Sequence, residues 1–161
     1  MTMKKIFLFV FTIFFLNHIN SQTLTVTGGW TTTLAVTNIT EAGNNYPNGN
    51  LTSATNQSLM TVRSAQNSVA FVYIQKSDTS WDSRLTISAR RTGTGTGNAG
   101  FTTTNGTTAQ AVTNVPTYFF EVRPSSGTQV SNIPIQYLIT GYTVLLPVKA
   151  YTTTLLYTVT N

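Results

Sequence analysis

Segments in which apolar and polar residues alternate cover most of the chain after residue 22. A period of two residues is typical of a β-strand that presents one face to a core and the other to solvent. The clearest case is residues 84–91, where Leu85, Ile87 and Ala89 alternate with polar residues. The predicted strands are residues 22–27, 30–39, 58–63, 68–76, 84–91, 117–123, 133–140 and 150–160.

The spacing of these strands predicts the fold class. Eight or nine short strands that recur about every 8–12 residues are typical of a β-sandwich or barrel. Parallel sheets would need helical connections, and no connection here has a helical pattern. We therefore predict an all-β fold, with one antiparallel β-sandwich domain over residues 22–161 that is immunoglobulin-like in the broad sense. Within it, residues 68–76 are apolar on both faces, which predicts a central strand covered on both sides.

The first 21 residues have a different pattern. Lys4 and Lys5 precede an apolar run over residues 6–16, which is too short to span a bilayer as a helix. A more polar stretch follows and ends at Ser21. This is the pattern of a secretory signal peptide. We predict cleavage between Ser21 and Gln22, a secreted or cell-surface protein (with the periplasm as the other destination), and no membrane span after cleavage.

Composition narrows the chemistry. The chain has no cysteine, and its one histidine, His18, lies in the predicted signal peptide. Ser-His-Asp and Cys-His catalysis and His- or Cys-based zinc sites are therefore excluded from the processed chain. Only 8% of residues are charged, and loss of Lys4 and Lys5 lowers the net charge from +5 to about +3. That is far from the dense basic surface that nucleic-acid binding requires.

A glycine-rich stretch, ARRTGTGTGNAGF, contains G-x-G-x-x-G at Gly95, Gly97 and Gly100, with Glu121 about 20 residues later. In a dinucleotide site this pattern begins a helix whose N-terminus binds the pyrophosphate. Here the Thr-rich segment FTTTNGTTAQAV follows, and Glu121 lies inside a predicted strand. We therefore expect no nucleotide cofactor, and indeed no cofactor at all. The stretch is predicted to be a flexible loop with several positive φ angles, and a role as a binding loop stays open.

Several loop residues are candidates for ligand binding. Trp81, Tyr46 and Phe101 could stack on sugar rings together with the loop at 92–100, although a tryptophan in a sandwich more often belongs to the core. Asp78 and Asp82 flank Trp81 and could bind Ca²⁺ with nearby oxygens, or they could accept local backbone hydrogen bonds.

Charged residues on predicted strands offer two further sites. Arg84, Arg90, Arg91 and Arg123 could form a basic patch for an anionic polysaccharide, or be separate solvated charges. Glu121 with Asp78 or Asp82 could form the acid pair of a glycoside hydrolase. Four scattered carboxylates more often interact with nearby arginines, so we expect no enzyme.

The segment IPIQYLITGYTVLLPVKAYTTTLLYTVTN, residues 133–161, resembles the closing strands of secreted bacterial fimbrial and spore-coat-U-like subunits. The start of the predicted mature chain, QTLTVT, resembles a strand that pairs with another subunit. The resemblance implies a structural subunit. The sequence agrees, because native sheets protect their edges with Lys, Pro or bulges and few such residues occur here. We therefore expect a non-enzymatic subunit of a surface filament or coat, or an adhesin-like module, that self-associates by strand pairing. The alternative is a carbohydrate-binding module.

Overall fold

The computed structural model of the chain describes residues 22–34 and 50–161. It confirms an all-β fold made of two antiparallel sheets. The strands are β1 (Thr23–Thr27), β2 (Asn50–Thr52), β3 (Ser58–Arg63), β4 (Ala70–Ser80), β5 (Thr86–Arg91), β6 (Thr96–Gly97), β7 (Thr102–Thr104), β8 (Gln110–Ala111), β9 (Thr117–Arg123), β10 (Gln129–Thr140) and β11 (Thr152–Thr160). The described residues contain eleven strands rather than the predicted eight or nine, because β2, β6, β7 and β8 are only two or three residues long and have no alternation to detect.

The seven-stranded sheet has the order β1-β3-β10-β5-β8, and β2 and β6 also pair with β10. The four-stranded sheet has the order β11-β4-β9-β7. Long strands occupy the centres of both sheets, and the shortest strands lie at one edge of each. The two sheets pack face to face, which is the arrangement of a β-sandwich.

The core lies between the sheets and follows the predicted alternation. Alternate residues of β3, β4 and β10 are fully buried, among them Met60, Val72 and Ile135. Phe119, Phe120 and Tyr137 also pack in the core. Trp30 and Trp81 pack against the same core cluster from its margin.

Three predicted segments differ from the structure. Residues 30–34 form no strand, and the neighbouring Gly29 carbonyl accepts a hydrogen bond from the Gln57 side chain at 2.5 Å. β4 continues to Ser80, beyond the predicted strand end at residue 76, because β11 pairs with its second half. β10 begins at Gln129, before the predicted strand start at residue 133, because Gln129 and Val130 pair with β3. Pairing with a neighbouring strand outweighs turn propensity in both cases.

β4 is central, as predicted, but only one of its faces is covered. Ala70, Val72 and Ile74 point into the core, whereas Phe71 and Tyr73 lie on the outer face of the four-stranded sheet and are half-buried. The apolar residues on both faces of this strand therefore mark an aromatic outer surface rather than a second covering layer.

Residues 1–21 and 35–49 lie outside the described residues. They include the predicted signal peptide, Tyr46 and the second half of the strand predicted at 30–39. Across residues 22–34 and 50–161 the structure contains no helix that is long and apolar enough to cross a membrane.

Candidate functional site

The edge strands β1 and β11 lie next to each other on one side of the sandwich, which we call the open side. Each belongs to a different sheet. The side chains of Gln22, just before β1, and Asn161, just after β11, are hydrogen-bonded. Ser64, which follows β3, also donates to the Asn161 side chain at 3.2 Å. The open side therefore joins the beginning and the end of the predicted domain.

Strand β11 is the longer of the two edges. Its nine residues, TTTLLYTVT, contain no charge, no proline and no glycine. Among the described strands, β11 pairs only with β4. Natural edge strands of this length usually carry a lysine, a proline or a bulge that prevents another chain from pairing with them. β11 has one register irregularity, at Thr152/Thr153, and it lies at the start of the strand.

The core is incompletely covered along the open side. The inward-facing residues of β1 and β11 are only half-buried, although they pack against the core cluster. These residues, which we call the seam, are Leu24, Val26, Leu155, Tyr157 and Val159. An added strand would cover part of this apolar surface, and burial of apolar surface is favourable by about 25 cal/mol per Å².

A hydrogen-bond chain between the sheets fixes the position of β11. The Tyr137 hydroxyl donates to Ser58 Oγ at 2.9 Å and lies 3.1 Å from the Tyr157 hydroxyl. The pKa of Tyr157 is raised well above its ordinary value, chiefly because burial desolvates its hydroxyl. The neighbouring Tyr137 raises this pKa further. The Tyr157 hydroxyl therefore stays protonated and holds β11 to the opposite sheet.

The opposite side of the sandwich is closed by short strands and by the glycine-rich stretch. There β7 has three residues and β8 has two. The glycine-rich stretch is not followed by a helix; within it, Thr96 and Gly97 pair with β10. Gly95 has a φ of +82°, and a Cβ there would lie 2.7 Å from the Ser131 carbonyl oxygen. The stretch is thus a loop, as predicted, but one that is paired with the sheet.

Arg91 points into the protein and is buried. Its guanidinium donates to the carbonyl oxygens of Gly93, Thr103 and Asn105, at 2.5 to 3.2 Å. Burial lowers the pKa of Arg91, but a guanidinium stays charged in proteins. Arg91 therefore cannot belong to a surface patch, and that part of the prediction is wrong. β5 alternates, so residues 87, 89 and 91 share the inner face.

The other three arginines do not lie on one surface either. Arg84 and Arg90 are six residues apart along β5 and its approach, roughly 20 Å in an extended chain. Arg90 donates to Gln136 on the seven-stranded sheet, and Arg123 lies on β9 of the other sheet. The expected basic patch is therefore three separate charges.

The acidic candidates are also separated. Glu121 pairs with Phe71, and Asp78 lies seven residues further along β4, a distance of roughly 23 Å in a strand. Acid pairs of glycoside hydrolases are about 5 to 10 Å apart. The structure thus does not bring Glu121 and Asp78 together as such a pair.

Asp78 and Asp82 each interact with a neighbouring cation. Desolvation opposes the charge of Asp78, but hydrogen bonds from Lys76, Thr153 and Asn114 together outweigh it and lower its pKa. Arg84 donates to both carboxylate oxygens of Asp82 at 2.8 Å and holds its pKa well below the usual range. Across the described part of the chain no cluster of three or more His, Cys, Asp or Glu side chains occurs. A Ca²⁺ site at Asp78 and Asp82 stays a prediction.

Trp81 and Phe101 do not form a shared exposed surface. The Trp81 indole donates to the Leu85 carbonyl at 2.9 Å, Lys76 lies 5.9 Å from its ring centre, and the side chain is half-buried. Phe101 packs against the core beneath Gly97. Tyr46 lies outside the described residues.

Sequence reasoning missed an aromatic group on the outer face of the four-stranded sheet. The Tyr118 ring centre lies 6.3 Å from that of Phe71 and 6.0 Å from that of Tyr73. Phe71 and Tyr73 belong to the strand that the sequence predicts to be covered on both sides. The signal that could have found them is the apolar residue on the second face of β4.

Comparison with known proteins identifies no family. No family model matches the chain, and no curated protein or solved structure is significantly similar to it. The expected resemblance to fimbrial and spore-coat-U-like subunits therefore stays a prediction.

Proposed function

We propose that the chain is an exported, non-enzymatic structural subunit that self-associates by strand pairing through β11. Such a subunit would belong to a surface filament or coat, or form an adhesin-like module. The observation that supports this most directly is the uncharged nine-residue edge strand beside a half-buried apolar seam.

A second copy of the chain fits this edge. An antiparallel pair of β11 strands centred on Leu156 places Leu156 opposite Leu156 and Thr154 opposite Thr158 of the second copy. Leu156 is 42% exposed and gains an apolar partner. Strand addition of this kind derives its affinity from main-chain hydrogen bonds and its register from the side-chain pairs.

Pairing of β11 with β11 has two-fold symmetry and closes as a dimer. A filament or coat requires a second contact. The loop between β10 and β11 supplies a suitable surface, because Val144, Leu145 and Val148 are exposed there, with Val148 fully so. Large aliphatic side chains clustered on a surface loop mark contact sites more often than single exposed ones do.

A charge-swap experiment at Leu156 tests the proposal. The unmodified chain covering residues 22–161 should sediment as a dimer or larger species in analytical ultracentrifugation. Leu156→Lys and Leu156→Glu should each weaken association by about tenfold or more, because like charges then face each other across the new pair. Mixing the two variants should restore association, because the charges are then opposite.

Val115→Lys is the matched control, since Val115 is 67% exposed and lies just before β9. It should associate like the unmodified chain. A chain that stays monomeric at every soluble concentration would contradict the proposal, as would Leu156 variants that associate as tightly as the Val115 control.

A further inference from the structure

The outer face of the four-stranded sheet carries a second surface, on β4 and β9, the two strands that follow β11 in the sheet. Phe71 and Tyr73 of β4 and Tyr118 of β9 lie there, all half-buried. Register places Tyr73 opposite Tyr118 and Phe71 opposite Glu121. We call these three rings and Glu121 the aromatic face.

Hydrogen bonds fix the polar groups of the aromatic face. Asn105 Nδ2 donates to the Tyr118 hydroxyl at 2.8 Å, and that hydroxyl donates to Glu121 Oε2 at 3.2 Å. Thr104 Oγ1 donates to Glu121 Oε1 at 2.8 Å. A carboxylate has about four acceptor positions. Glu121 therefore keeps the capacity to accept about two more hydrogen bonds from a ligand.

The backbone beside Tyr118 forms a turn that Arg91 holds in place. Asn105 has a φ of +64° and Gly106 a φ of +74°, angles that an Asn-Gly pair adopts readily. The buried Arg91 donates two hydrogen bonds to the Asn105 carbonyl oxygen. These hydrogen bonds help to position the Asn105 side chain against Tyr118.

A shallow groove continues the aromatic face. It has a volume of about 500 Å³ and is lined by residues 105–110, Tyr118 and Phe119. The lining residues carry hydroxyl, amide, small apolar and aromatic groups, and none of them is charged. Tyr118 is common to the groove and to the aromatic face, so a single extended ligand can contact both.

We propose that the aromatic face and the adjoining groove bind a segment of a neutral glycan chain. A sugar ring presents apolar C–H groups on its faces and hydroxyls around its edge. Aromatic rings that carry polar groups beside them match both, because the ring contacts the apolar face while fixed acceptors and amides bond the hydroxyls. Glu121 is an anion next to the rings, which disfavours phosphate or carboxylate ligands. This site uses none of the loop aromatics Trp81, Tyr46 and Phe101.

Affinity electrophoresis of the chain covering residues 22–161 tests the proposal. Native gels would contain laminarin, galactomannan or hydroxyethyl cellulose as neutral glycans, and polygalacturonate as an anionic one. At least one neutral glycan should retard the protein. Tyr118→Ala should weaken that binding about tenfold, because it removes the ring shared by the face and the groove. Glu121→Gln should weaken it about threefold.

Tyr151→Ala is the matched control, since Tyr151 precedes β11 and its hydroxyl donates to the Pro147 carbonyl in the loop between β10 and β11. It should bind like the unmodified chain, and circular dichroism should show that each variant is folded. The proposal is overturned if no neutral glycan retards the protein, if only polygalacturonate does, or if folded Tyr118 and Glu121 variants bind unchanged. Sedimentation of Tyr118→Ala should still show self-association, since Tyr118 is two strands from β11.

Discussion

Single residues decide how the closed side of the sandwich is built. Arg91 donates to the carbonyl oxygens of Gly93, Thr103 and Asn105, and so ties the loop between β5 and β7 to β7 and the residue after it. Gly95 permits the same loop to approach β10 closely, because its φ is positive and its Cα faces the Ser131 carbonyl. The glycine pattern that resembles a nucleotide fingerprint therefore has a packing role.

Replacing Gly95 by alanine should lower the free energy of unfolding by about 2 kcal/mol, because the methyl group adds a left-handed backbone cost to a contact with a carbonyl oxygen. Gly29→Ala is the control, since nothing lies within 4 Å of a Cβ at that position. Its stability should change by less than about 0.5 kcal/mol. Urea unfolding measures both values. Equal stabilities for the two variants would show that the Gly95 contact does not matter.

At the scale of elements, β11 combines an open edge with a firm attachment. Nine residues of β11 pair with β4, and the Tyr157 hydroxyl reaches Tyr137 on the opposite sheet. A strand held in this way can accept a partner strand without first leaving its own sheet.

The attachment of β11 predicts a pH dependence. In the unfolded chain Tyr157 ionises near pH 10, whereas burial raises its pKa in the folded protein. Its contribution to stability is therefore complete below pH 10 and is lost as the pH rises towards the folded pKa. Tyr157→Phe should be about 1 kcal/mol less stable at pH 7, because the bond to Tyr137 is lost.

Urea unfolding between pH 8 and 11 is the measurement for this prediction. Stability of the unmodified chain should fall more steeply above pH 10 than that of Tyr157→Phe. Parallel pH profiles for the two proteins would mean that the Tyr157 hydroxyl is not the group responsible.

Most of the long strands could be predicted because alternation alone identifies them. β3 and β9 begin and end at the predicted residues. The short strands β2, β6, β7 and β8 could not be predicted, because two or three residues carry no period and pair only where β10, β5 or β9 lies beside them. The extension of β4 to Ser80 has the same cause, since its polar second half pairs with β11.

At the scale of the whole molecule, the two sides of the sandwich differ. The edge strands β1 and β11 and the half-buried seam lie on the open side. The short strands β7 and β8 and the loop bound by Arg91 lie on the opposite side. Without cysteine, no disulfide adds to the packing and hydrogen bonding of the described residues. Self-association through the open side would cover the least protected part of the core.

Export is the expectation that concerns the molecule as a whole. Expression of the full chain in a bacterial host should yield an exported protein whose N-terminal residue is Gln22, because signal peptidase cleaves after small residues. Intact mass and N-terminal sequencing identify the cleavage site. Replacing Lys4 and Lys5 together by glutamate should reduce export, since the positive n-region would be lost. An exported product that still begins at Met1 would contradict the assignment.

The sequence by itself determined the fold class, because alternation with a period of two residues is local and reports which face of each strand is buried. It also excluded histidine and cysteine chemistry from residues 22–161, because composition does not depend on folding. Only the tertiary structure decided which strands are edges, that Arg91 is buried, and that Phe71, Tyr73 and Tyr118 share an outer face. These properties depend on which segments become neighbours, and residues distant in sequence become neighbours only when the two sheets pack.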